Sequence, residues 1–173
     1  MNFGRDDPEA AIIERLSSEV ATRAPDLAPW LPLIAIALDI NVAPTPEVEL
    51  LAESNRRAIL HKSVLRFLEV MIPETALIEI ENAHHMDEAS AELLLYLTEK
   101  IDARPWLIGV ARRPTATGFT APDVPTVSRI GLEPLAQEDA LRMVQLASER
   151  HPLHMHVIEV VAQRSGGNPQ FLR

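Results

Sequence analysis

ALIEIENAHHMDEAS, residues Ala76 to Ser90, is the stretch on which the reading of this chain turns. Its first residues, rich in Ile and bounded by polar positions, predict a short β-strand. Its end, DEASAELLLYLTEK when continued to Lys100, predicts a Leu-rich helix with Asp87 or a nearby residue as its cap. Between the two lies a polar and acidic cluster: Glu81, Asn82, His84, His85 and Asp87. A strand end that runs into such a cluster before a helix is where α/β proteins build their sites.

Moving downstream, Trp106 to Ala111 is a second β run. Strand, helix and strand at this spacing predict a right-handed parallel β-α-β unit. Both strand ends then share one edge, making Glu81 and Asn82 neighbours of Arg112 and Arg113. RRPTATGFTAPDVPT is polar and Pro-rich, hence an exposed loop that either covers a site or merely connects. VSRIGLEPL is expected to add a short strand. QEDALRMVQLASER and HMHVIEVVAQRS carry helical apolar spacing, separated by His151-Pro152, and Gly166-Gly167-Asn168-Pro169 interrupts the chain before another helical start.

Upstream, Asp7-Pro8-Glu9 offers a cap, a first-turn proline and an early acid for a helix ending near Arg23, with Ile12, Ile13, Leu16 and Val20 as its apolar face. APWLPLIAIALDI reads either as a helix with Pro32 in an early turn or as a buried strand. After the break NVAPTPE, the spacing of Val48, Leu51, Leu60, Val64, Leu65 and Leu68 predicts one long helix from Glu47, closed by Pro73-Glu74. Trp30, Trp106, Leu93, Leu94, Leu95, Leu97, Val157, Ile158, Val160 and Val161 are assigned to the core.

With 173 residues and 47% apolar side chains, the chain can bury a core. Its net charge of −9 argues against a broad nucleic-acid-binding face. No cysteine is present, which excludes disulfides, thiolate nucleophiles and Cys-based zinc sites. The start lacks a positive-then-apolar signal pattern, and Trp30 to Leu38 is too short to span a bilayer, so a cytoplasmic protein without membrane attachment is expected. Serines 63, 90 and 165 lack the surroundings of a hydrolase triad. His84, His85 and Asp87 do not converge as metal ligands in an extended segment, and HPLHMH is explained by a proline and a helix start. The phosphate-binding pattern G-x-x-x-x-G-K-[ST] is absent, and the lysines, Lys62 and Lys100, sit in no such loop.

IEIENAHHMDEASAELLLYL resembles the strand, acidic pair, aromatic position and Leu-rich helix of the STAND branch of AAA+-like P-loop NTPases, the module attached to bacterial adenylate/guanylate cyclases and large transcriptional regulators. Gly109-Val110-Ala111-Arg112 is similar to that family's Gly-Thr-x-Arg strand end, Leu132-Glu133-Pro134-Leu135 to its turn into a helical lid, and Gly167-Asn168-Pro169-Gln170-Phe171-Leu172 to the motif that closes the lid. The resemblance covers Pro73 to Leu172, the downstream part of such a module without its Walker A loop. It implies an α/β fold, with a partial P-loop NTPase-like parallel sheet and flanking helices over 1–131 and a helical lid portion over 132–173.

The resemblance further implies that Glu81 occupies the Walker B position that helps hold Mg2+, given a P-loop from upstream. It places Asn82 at the second acid, Arg112 or Arg113 where phosphate is sensed, and Pro169 where the lid docks. Asparagine cannot act as a general base and can only orient water, so no catalytic residue is expected. Val110 lacks the hydroxyl of the usual Thr. The expected function is a non-catalytic fragment of a nucleotide-dependent regulatory ATPase module, with ATP and Mg2+ implied only for the complete module. Its partners would be the upstream P-loop segment and an output domain, with self-association over exposed sheet surface. The alternative is a degenerate protein-interaction scaffold that binds no nucleotide.

Overall fold

A computed structural model describes residues 8–172, and the chain divides into two compact units, Met1–Asp123 and Val124–Arg173. The first opens with α1, Glu9–Arg23, ending where the apolar spacing placed its end; Asp7, its expected cap, lies outside the described residues. Leu16 and Val20, one turn apart on a single face, are fully buried. The ambiguous segment is helical: a 3-10 stretch, Pro25–Trp30, leads into α2, Leu31–Ile36, with Pro32 in the first turn, where no backbone N–H is missed.

The single helix expected from Glu47 is two helices. α3, Pro46–Glu49, is one turn, and α4, Glu53–Met71, begins after a break that leaves Leu50 exposed. Ala52, at φ −58° and ψ 137°, leaves helical backbone and makes the break, while Thr45 fixes the start of α3. Its hydroxyl donates to the Pro29 carbonyl at 2.6 Å and accepts from the Val48 N–H at 3.4 Å, tying α3 to the 3-10 stretch. α4 must meanwhile pack on α2, so the two cannot be collinear. The resulting core joins Leu16, Val20, Leu27, Ile34, Ala35 and Phe67.

β1, Ala76–Ile80, and β2, Trp106–Val110, pair in parallel with Ala76 opposite Trp106 and Ile80 opposite Val110. α5, Glu88–Glu99, connects them and is capped by Asp87, whose carboxylate accepts from the Ser90 N–H at 2.8 Å. Such a cap satisfies one of the N–H groups that the first turn of a helix leaves without a partner. One sheet face, with Ile80, Ile108 and Val110, packs around Ala83, Leu94 and Phe119. The other presents Leu77 and Leu107, side by side in register and 63% and 67% exposed. Trp106 and Trp30 are partly rather than fully buried; the Trp106 indole N–H reaches the Ile72 carbonyl at 2.9 Å.

The second unit is helical. α6, Gln137–Ala147, and α7, Met155–Arg164, pack through Ala140, Val144, Ile158 and Ala162, and a 3-10 turn at Pro169–Leu172 adds Leu172 to that core. No strand forms over 127–135: Ile130 and Leu132 are exposed, and the described residues supply no neighbouring strand to satisfy the backbone groups of this segment. Val157 and Leu95, assigned to the core, are exposed because they point away from their helices' packed faces. Among the described residues no helix is long and apolar enough to cross a membrane.

Candidate strand-end site

The parallel register carries the sequence into a site. The Ala111 N–H donates to the Ile80 carbonyl at 2.8 Å and the Ala83 N–H to the Ala111 carbonyl at 3.0 Å, so pairing continues just past both strands. Glu81, Asn82, His84, Ala111, Arg112 and Arg113 therefore line one cleft of about 180 Å³. The four residues expected as neighbours are brought together. Pro169 belongs to the second unit, exposed at the start of its last 3-10 turn.

Asn82 adopts left-handed backbone angles, φ 54° and ψ 33°. Asparagine tolerates that region better than most residues. The turn swings the chain out of β1 and into a short 3-10 segment, Ala83–His85. Ala83 and His84 are buried beneath it. The His84 Nδ1 faces the Arg113 N–H at 3.4 Å, its carbonyl accepts from the Thr117 hydroxyl at 3.0 Å, and its ring lies 4.0 Å from that of His85. Burial chiefly, then the charges of His85, Arg113 and Arg112, hold the His84 imidazole below its ordinary pKa, favouring the neutral ring. His84 is thus an organiser of the loop.

The two arginines behave differently. Arg112 folds back into the loop after β2: its guanidinium donates to the Phe119 carbonyl at 2.6 Å and to the Arg113 carbonyl at 3.1 Å, and also contacts Thr115 and Thr120. These bonds would have to be given up before Arg112 could grip an anion. Arg113 is exposed, and among the described residues its side chain has no acceptor. Gly118 closes the loop against the cluster at φ 75°, so near that an added Cβ would stand 2.1 Å from the Ala83 carbonyl oxygen. Glycine reaches such a φ without steric cost.

Chemically, the cleft offers one exposed carboxylate, one amide and one free guanidinium. Among the described residues it contains no base held beside a nucleophile. It is also smaller than typical small-molecule sites, which run from about 300 Å³ to about 1000 Å³. Among the described residues no group of three His, Asp or Glu side chains could hold a metal ion; a single carboxylate such as Glu81 takes Mg2+ together with water and phosphate oxygens.

A larger cleft, of about 590 Å³, lies elsewhere in the first unit, between α4, α5 and the Pro25–Trp30 stretch. Sequence reasoning passed over it, because its residues come from three helical segments and form no contiguous motif. The one visible signal was that Lys62 and Arg66 stand four residues apart and so share a face of α4. No protein-family model, curated protein or solved structure matches this chain.

Proposed function

We propose that the chain is a non-catalytic regulatory module that completes a nucleotide site whose phosphate-binding loop comes from a segment outside these 173 residues. The reading rests on one observation: in-register parallel pairing gathers Glu81, Asn82 and Arg113 at a single sheet edge. In this reading Glu81 holds Mg2+ through water, Arg113 meets a phosphate oxygen, and Asn82 orients water without taking its proton. Arg112 keeps the loop in shape. The P-loop NTPase-like character of the fold, the role of the second unit as a lid and a cytoplasmic setting in a signalling protein belong to the same proposal. The small volume of the cleft and the bare Leu77/Leu107 face of the sheet agree with a missing wall.

Calorimetric titration of Mg-ATP and Mg-ADP tests this reading, once into the chain alone and once into the chain joined to the loop-bearing segment. Saturable binding by the longer protein only, weakened by Glu81→Gln, is the expected result. Binding by neither would instead favour a protein-interaction scaffold, a reading to which the internally engaged Arg112 already lends support. Turnover by the chain alone, abolished by Glu81→Gln, would overturn the non-catalytic assignment.

A further inference from the structure

The sequence contains two lysines, Lys62 and Lys100, and both line the larger cleft. Lys62 projects from the middle of α4 and Lys100 from the end of α5. Neither has a carboxylate within ion-pair distance among the described residues; Lys100 Nζ lies 5.9 Å from the centre of the Tyr96 ring. The other two cations of the cleft are engaged. Arg66 faces Asp26 at 3.4 Å and Glu69 at 3.9 Å, while Arg104 pairs with Glu69 and the Lys100 carbonyl. Four cations against two carboxylates leave a surplus of two positive charges, in a chain whose net charge is −9.

Two further features give this surplus a direction. Ser63, beside Lys62, is only 4% exposed and lines the cleft. Its hydroxyl can donate to an anion that enters the cleft. Trp30 and Tyr96 also line the walls and supply the aromatic surface on which a planar ring can stack. The cleft volume is about 590 Å³. That is well beyond what a bare anion fills and is typical of sites for small organic ligands.

From these features we infer that the cleft binds a small aromatic phosphate monoester, of about the size of a nucleoside monophosphate. A phosphate monoester carries about −1.5 to −2 charge near neutrality, matching the surplus of two. Its oxygens accept from the ammonium groups of Lys62 and Lys100 and from the Ser63 hydroxyl, and its ring lies against Trp30 or Tyr96. The site is separate from the strand-end cluster, shares no lining residue with it and requires no Mg2+.

The test is calorimetric titration of AMP and of phenyl phosphate into the whole chain with EDTA present, which leaves any magnesium-dependent site at the strand ends silent. Saturable binding is expected, with a dissociation constant of about 1 mM or tighter for at least one of the two. Lys62→Ala and Lys100→Ala, at the rim of the cleft, should each weaken it about tenfold. Glu81→Gln should leave it unchanged. Trp30→Phe should reduce the fluorescence quenching that accompanies binding. Absence of saturable binding by both probes overturns the inference, as does equal affinity for inorganic phosphate, which would leave the ring without a role. A phosphotyrosine peptide binding far more tightly than either probe would also overturn it, in favour of a macromolecular partner.

Discussion

Gly118 shows how one residue can hold a loop in place. Its positive φ and its approach to the backbone of Ala83 and His84 leave no room for a side chain, since the atoms that would have to move are main-chain atoms. Gly118→Ala should destabilise the protein by about 2–4 kcal/mol. Gly131→Ala, with nothing within 4 Å of its added Cβ, should be close to neutral. Urea unfolding of both variants measures the contrast. The histidines make a second test. Burial holds His84 below its ordinary value of 6.5, and burial likewise lowers His61, with Glu92 opposing and Arg57 assisting. The unfolded chain therefore takes up protons first on acidification. The stability these rings contribute is full above about 6.5 and is lost as the pH falls through their folded values. Unfolding free energy measured from about pH 7 to 5 should fall, and His61→Gln with His84→Gln should flatten that slope. The His84-His85 pair does not converge as a metal site in sequence, and the tertiary structure makes His84 an acceptor for the Arg113 N–H.

Among the elements, α5 was the most legible in sequence, since Asp87 followed by a Leu-rich run specifies where the helix starts and which residues it can bury. The Asp87 carboxylate takes both the N–H and the hydroxyl of Ser90 at 2.8 Å, and these bonds hold its pKa below the ordinary carboxylate value. A lowered carboxylate pKa contributes stability above the unfolded value of about 3.9 and loses it as the pH falls through the folded one. Asp87→Ala should lower the melting temperature by about 2–4 °C near neutrality, Asp87→Ser should restore most of it, and the difference should vanish in acid. Circular dichroism melts at two pH values suffice. The break between α3 and α4 was not legible, because Leu50, Leu51 and Ala52 keep helical composition through it. Ala52 turns the chain there, and Thr45, bonded to a carbonyl sixteen residues away, anchors the start of α3. Thr45→Val should cost about 1–2 kcal/mol in chemical denaturation.

For the whole molecule, the two units have separate cores: Leu16, Val20, Ile34 and Phe67 anchor one, and Val144, Ile158 and Leu172 the other. Ile158→Ala, which opens a cavity in the second, should destabilise it by about 2–5 kcal/mol. Hydrogen exchange should then show protection lost across α6 and α7 and kept in α1 and α4; loss in both units would show that they unfold together. The sequence by itself determined the parallel strand pair, the helix between it, the helical final segment and the meeting of Glu81 and Asn82 with Arg112 and Arg113. Each of these follows from local periodicity and from the helical crossover that a parallel pair requires. Only the tertiary structure decided that Arg112 turns inward to hold its own loop. It alone brought Lys62, Lys100, Ser63 and Trp30 to one cleft, for such neighbours are set by the angles at which helices pack, and no short window of sequence encodes those angles.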